Sequence, residues 1–250
     1  MHPVFIKIGN FVIYWYGVLV AVGVFISIAL FEKECRKEGY DEKFISQIIF
    51  WTIFSGIIGA RLLHVFVNIY YYILHPLEII KIRNGGLAVE GAVLSSLIFI
   101  ILFSKFKNFP PIKVLDTISI YVPLGQAIGR LGCFLNGCCY GKETNFLLGV
   151  KFPFLERKVH PTQLYYSFLY IILFFLLKKL SKKVKKGDGF LFSSYLMAFS
   201  LIRYFVDFLR GDLKKTLLGF YSTQLIAIII FIIGGTYCII KLIKGEKTNG

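Results

Sequence analysis

Apolar residues fill long stretches of this chain, and short polar clusters break them into segments. Several runs approach the roughly 20 residues that an α-helix needs to cross a bilayer. The pattern predicts seven helices, over roughly 10–31, 46–73, 87–104, 114–136, 163–180, 189–209 and 221–240. The fourth is the least lipid-like, and Asn136-Gly137 marks its break toward a loop. The fold class expected is an all-α polytopic membrane helix bundle of about seven spans, formed by residues 1–250 as one integral-membrane domain.

Composition agrees. Of 250 residues, 56% are hydrophobic and only 17% charged, and the mean hydropathy is +0.70. Soluble domains carry about 25% charged residues. The first apolar run has only Lys7 before it and leads straight into further spans, so it is read as a span and not as a cleaved leader.

The net charge of +15 raises the question of nucleic acid, but the basic residues cluster between apolar runs, as topology signals do. No nucleic-acid partner is expected. Alternate loops carry sixteen and ten Lys and Arg residues, the heavier set including six lysines within 178–186. The heavier side is read as cytoplasmic. The N-terminus is then outside and the C-terminus inside, with loops 74–86, 137–162 and 210–220 facing outward.

Three arginines remain inside apolar runs: Arg61, Arg130 and Arg203. Insertion scales put each at about 2.5–3.5 kcal/mol unfavourable at mid-membrane. Pairing with a buried acid would relieve this, and Glu90, Asp116 and Asp207 are candidates. The other reading is an anionic ligand, best a phosphate, whose oxygens suit guanidinium geometry. Gln126, Arg130, Cys133 and Gly137 share one helical face, and so do Phe199, Arg203, Asp207 and Arg210. Gly125 and Gly129, and Gly56 with Ala60, have the small-residue spacing that lets helices approach closely. The picture is a polar cavity lined with arginine. Gly85-Gly86 adds a glycine pair able to bring backbone N–H groups to an anion, with Glu90 one turn further as an ionisable group. His160 precedes a helix start at Pro161 and is a cap or a ligand contact.

Cys133, Cys138 and Cys139 have the residue type of metal ligands, but zinc sites favour pairs two to four apart joined to a second pair. No metal is expected; a disulfide and simple packing stay open for these thiols.

"YWYG" (14–17), "GAR" (59–61), "GGLAVEGA" (85–92), "GRLGCFLNGCCYG" (129–141), "HPTQLYYS" (160–167), "RYFVDFLRGD" (203–212) and "STQ" (222–224) follow one another in an order that resembles the prolipoprotein diacylglyceryl transferases. The resemblance implies a multi-pass enzyme of the bacterial inner membrane without a cofactor. Its partners would be membrane lipid, phosphatidylglycerol above all, and preprolipoprotein signal peptides with a lipobox cysteine. The diacylglyceryl group would pass to that cysteine as a thioether, and glycerol phosphate would leave. Arg130 and Arg203 match the family's phosphate-handling arginines, and Tyr16 its first-span tyrosine. The expected site comprises Arg130, Arg203 and Glu90 for catalysis. Tyr16, Arg61, Gly85, Gly86, Gln126, Gly129, Asn136, His160, Gln163, Asp207 and Arg210 are expected to bind substrate.

This chain departs from the family pattern at several points. Glu90 stands where many members have histidine, Cys133 where many have asparagine, Cys138 where many have glutamate, Phe199 where a tyrosine is found, and Asp207 where glutamate is common. Glu90 is then the substitute base, unless the acceptor thiol arrives ionised, and the cysteines read as substitutes for polar wall residues. An anionic-lipid binder or transporter, or a relative with another acceptor, is the alternative.

Overall fold

The computed structural model describes residues 3–9, 11–81, 85–213 and 221–246. Arg83, Lys214, Lys215 and Lys247, which entered the charge comparison, lie outside them. Two short strands, β1 (Val4–Ile8) and β2 (Phe11–Tyr14), pair antiparallel ahead of eight α-helices: α1 (Trp15–Lys37), α2 (Glu42–Val67), α3 (Ile69–Leu74), α4 (Val89–Phe106), α5 (Pro111–Asn136), α6 (Thr162–Leu180), α7 (Phe190–Asp207) and α8 (Ser222–Glu246). A 3-10 turn, Pro76–Ile80, follows α3. All but α3 contain a stretch long and apolar enough to cross a membrane, seven in total among the described residues. Apolar side chains cover much of the outside, Phe25, Phe66 and Phe106 among them. This is a multi-pass membrane protein, and its helices face lipid with the residues a soluble protein would bury.

Most boundaries fall within a few residues of those the apolar pattern predicts; the first and last helices run on to Lys37 and Glu246, and two interruptions go unpredicted. The first helix starts at Trp15, because Phe11–Tyr14 alternate as a strand against Val4–Ile8. The second ends at Val67, where the Asn68 backbone N–H bonds His64 O at 3.1 Å before the chain restarts as α3. Periodicity does not register either interruption, since both lie within apolar sequence.

The chain divides into two compact units, 32–115 and the remainder. In the smaller unit α2 packs on α4. The Ser95 hydroxyl donates to Ser55 O at 2.8 Å and the Ser96 hydroxyl to Thr52 O at 3.1 Å, which small residues at the contact permit. In the larger unit α6 packs on α7 around Tyr166, Tyr170, Leu173 and Val206, with Ala127 of α5 in the same cluster, and α8 packs on α7. There α1 meets α5 where a Cβ on Gly23 would lie 2.9 Å from Gly125 O, and one on Gly132 would lie 3.2 Å from the Tyr16 Cα. At Gly129 a Cβ would make only ordinary contact, 3.8 Å from Val20.

One carboxylate ties α5 to α7. Asp116 is fully buried and accepts from the backbone N–H groups of Gly187 (2.8 Å), Gly189 (2.9 Å) and Phe192 (2.9 Å). Gly189 is the N-cap of α7 and has no side chain to cap with. Asp116 supplies the missing acceptor from another helix.

Candidate active site

The larger unit assembles its polar groups around Asp207, the last residue of α7, which is completely buried. Its Oδ1 accepts from the Tyr166 hydroxyl at 2.5 Å, and its Oδ2 accepts from the Thr223 hydroxyl at 2.5 Å. Arg203 Nε lies 3.7 Å from Oδ2, and Arg210 Nη1 lies 3.7 Å from Oδ1. Arg210 also forms a two-bond fork on Asp212, at 2.8 and 2.6 Å. Burial works against the Arg210 charge, but that fork and the nearby carboxylates hold its pKa above the ordinary arginine value.

Arg130 comes to the same place from α5. Its guanidinium lies over the Tyr166 ring, 4.2 Å from the centroid, and Tyr170 is within its electrostatic range. Three guanidinium groups, Arg130, Arg203 and Arg210, therefore stand against two carboxylates, Asp207 and Asp212. Arg203 Nε is buried without a hydrogen-bond partner, because 3.7 Å is too long for one. A surplus positive charge and an unsatisfied donor in one buried cluster suit an anion with several oxygens. Nearby, Gln126 Nε2 donates to the Tyr195 hydroxyl at 3.0 Å, and its Oε1 is buried without a partner.

The end of α5 closes by a hydrogen-bond pattern that groups the cysteines. The Gly137 N–H bonds Phe134 O at 3.1 Å, and the Cys138 N–H bonds Cys133 O at 3.2 Å. Gly137 is left-handed, with φ 73°. These are the two bonds of a Schellman cap, in which the residue after the glycine folds onto the residue five before it. Here both are cysteines. Cys139 follows with φ 61°, a conformation rare for a residue with a side chain. The three sulfur atoms lie within 4.8 Å of one another. Bonds from the Cys133 and Cys139 thiols hold the Cys138 thiol below the ordinary cysteine range, with Asn136 contributing. The first turn of α6 fixes this turn from outside: the Thr162 hydroxyl donates to Cys139 O at 2.6 Å and Gln163 Nε2 to Cys138 O at 2.5 Å. Tyr16 lies within electrostatic range of all three thiols and of Arg130.

His160 Nδ1 lies 3.2 Å from the Tyr165 hydroxyl, and Pro161, expected as the first helical residue, is instead the N-cap of α6, which begins at Thr162. A strap from Gly141 onward bonds to the end of α7: Lys142 N–H to Leu209 O at 2.7 Å, and Gly211 N–H to Tyr140 O at 3.3 Å. The strap walls a cleft of about 670 Å³ that includes Lys142, Glu143, Phe154 and Arg157.

The smaller unit holds the other four candidates, Arg61, Gly85, Gly86 and Glu90, and Arg61 organises the two glycines. Arg61 is buried, and it donates to Ile79 O (2.8 Å), Gly85 O (2.8 Å), Gly86 O (3.0 Å) and Glu78 O (2.5 Å). The Tyr72 ring lies 5.3 Å from its guanidinium carbon. The glycine pair thus turns its carbonyls, where the sequence suggested N–H groups, toward a charged partner inside the protein. Gly86 has φ 78°, and a Cβ there would fall 2.6 Å from His64 Nε2 and 2.7 Å from Arg61 Nη1, so both conformation and space require glycine. Glu90 is exposed in the first turn of α4.

Of the three acids offered as partners for arginine, only Asp207 takes that role, since Asp116 caps α7 and Glu90 is exposed. Tyr166, Tyr170, Tyr195 and Thr223 belong to the site and were not among the expected site residues, although Tyr166 and Thr223 lie in the quoted motifs at 160–167 and 222–224. Tyr166 and Tyr170 are one helical turn apart on the face that meets Arg130, a spacing that would have identified the pair.

A multi-pass membrane protein with a buried, guanidinium-rich cluster for an anionic group is the class that this fold and site define. The chain belongs to the prolipoprotein diacylglyceryl transferase family, whose pattern it matches over residues 3–240. It is 37% identical over 239 residues to the phosphatidylglycerol–prolipoprotein diacylglyceryl transferase of Clostridium tetani, covering 94% of this chain and 95% of that one. With the protein of the same name from Finegoldia magna it shares 36% over 235 residues, covering 94% and 92%. With that from Clostridioides difficile it shares 34% over 237 residues, covering 95% and 94%.

Proposed function

We propose that this chain transfers the diacylglyceryl group of phosphatidylglycerol to the lipobox cysteine of a preprolipoprotein, the first step of lipoprotein maturation. The acceptor thiolate attacks the glyceryl carbon that bears the phosphate. A carbon–sulfur bond forms as the carbon–oxygen bond breaks, and the electron pair leaves on the phosphate oxygen of glycerol phosphate. Charge thus grows on that oxygen in the transition state, where preorganised guanidinium groups stabilise it most. Arg130 and Arg203 are assigned to it, with Tyr166 and Asp207 holding them in position. Tyr16, Gln126, Gly129, Asn136, His160, Gln163 and Arg210 are assigned to the substrate-binding wall. Glu90 is the proposed base for the acceptor thiol. Arg61, Gly85 and Gly86 are assigned to shaping the wall of the smaller unit, because Arg61 already bonds four carbonyls.

The observation that carries this reading is the guanidinium surplus around Asp207, with Arg203 Nε buried and unbonded. The enzyme is placed by this proposal in the bacterial inner membrane, with its N-terminus outside and the lysine-rich loop at 178–186 in the cytoplasm. The test is a mass measurement. Purified protein is incubated with phosphatidylglycerol and a lipobox peptide carrying one cysteine, beside an Arg130→Ala variant. A gain of one diacylglyceryl group on the peptide, absent with the variant, is expected. An unmodified peptide with folded, lipid-bound wild-type protein would favour a binder or transporter instead.

A further inference from the structure

The transfer chemistry proposed above leaves Cys133, Cys138 and Cys139 without a role. Packing alone does not require three sulfurs at one point, and the surrounding backbone is set up to hold them there. The Schellman cap folds Cys138 onto Cys133, Cys139 adopts a left-handed conformation, and two side chains of α6 anchor the carbonyls of Cys138 and Cys139. A non-glycine residue with positive φ costs roughly 1–2 kcal/mol and persists where the surrounding structure insists on it. Around a zinc ion with bonds of about 2.3 Å, tetrahedral sulfurs sit about 3.8 Å apart. The sulfurs here lie within 4.8 Å of one another, so no pair has to close by more than about 1 Å. The cluster brings three soft sulfur donors together and no carboxylate or histidine, a set that selects thiophilic ions such as Zn²⁺ over Mg²⁺ or Ca²⁺. A sequence spacing of five and then one conceals this set, because the turn and not a short loop brings the residues together.

We infer that Cys133, Cys138 and Cys139 bind one Zn²⁺ through their three sulfurs and leave its fourth position open to the acceptor thiol. A closed structural zinc site has four protein ligands, whereas a site with three keeps a place for water or substrate. The substrate proposed above is itself a thiol, so this inference rests on that reading. Coordination replaces the S–H proton with the metal, and the proton leaves to the base or to solvent. The resulting thiolate is held beside Arg130, which lies one helical turn before Cys133 on the same face of α5. When it attacks the glyceryl carbon, the thioether formed carries no negative charge and leaves the zinc. The phosphate departs toward the arginines with the electron pair.

The test uses the full chain in detergent with phosphatidylglycerol. Cd²⁺ is titrated while sulfur-to-cadmium charge-transfer absorbance is followed, and Co²⁺-loaded protein is then mixed with lipobox peptide. Saturation at one ion per chain is expected, with strong loss in Cys138→Ser and Cys139→Ser variants. The Co²⁺ spectrum should shift with a cysteine peptide and not with its serine counterpart. Wild-type protein that takes up no ion, or a cysteine pair found oxidised to a disulfide, overturns the site. Uptake without a peptide-dependent shift overturns the open position. These readings on wild-type protein stand even if a cysteine variant fails to fold. An Arg130→Ala protein that binds the metal but still transfers lipid would refute the transferase site and leave the metal site intact.

Discussion

Tyr166 stands between Arg130 and Asp207: its hydroxyl bonds the buried carboxylate at 2.5 Å while its ring lies under the guanidinium at 4.2 Å. One side chain on α6 thereby sets the position of an arginine on α5 and an acid on α7. Tyr166→Phe keeps the ring and removes the bond. A hydrogen bond to a charged group contributes about 1.5–3 kcal/mol. We expect kcat/KM in the transfer assay to fall about 10-fold or more, and further in Tyr166→Ala, which removes the stacked ring as well.

Arg203 separates charge from geometry. Arg203→Lys keeps the charge but loses the planar fork that matches a phosphate. A drop of about 10²–10³-fold in kcat is expected, the size seen for losing one transition-state donor. Binding of phosphatidylglycerol, measured separately, should weaken less than catalysis. An equal loss in both would show that the residue binds ground state and transition state alike.

Glu90→Gln removes a base without changing shape. If Glu90 takes the acceptor proton, transfer at neutral pH falls about 10²-fold or more, and peptide supplied at higher pH, where its thiol is already ionised, recovers part of the rate. An unchanged rate in Glu90→Gln would remove that role.

Arg61 concerns stability. Arg61→Ala leaves four carbonyls without their charged donor and should cost about 3 kcal/mol or more. Hydrogen exchange should speed up in the segment from Glu78 to Ala88. Gly86→Ala should have the same signature, because the new Cβ meets both Arg61 and His64.

Asp116→Ala removes the acceptor for three backbone donors at the start of α7, and Asp116→Asn weakens it. A loss of about 3 kcal/mol or more is expected in Asp116→Ala, read as a lower Tm, with a smaller loss in Asp116→Asn.

The spans were legible because lipid imposes long apolar runs, and the arginines stood out because charge inside such a run is expensive. The close packing at Gly125 was legible too, from residue size and spacing. What stayed hidden depends on contacts between distant segments. Nothing local distinguishes Asp116, a cap for a helix 73 residues further on, from Asp207, a partner for arginine. Tyr166 and Thr223 lie in short motifs that fit the family, but their common bond to Asp207 exists only once α6, α7 and α8 have packed. Gly85-Gly86 was read as offering N–H groups to an anion, and nothing local shows that its carbonyls turn to Arg61 instead.

The cap that ends α5 makes helix winding and thiol proximity a single event. Cys133 belongs to the helix and Cys138 lies beyond it, so they are neighbours only while the last turn stays wound. A trivalent arsenical, which must bridge adjacent sulfurs, would therefore act as a gauge of local order. Its capture rate would follow the fraction of molecules in which this one turn is closed, and lipid or peptide that tightens the turn would register as faster capture far from any reporter dye.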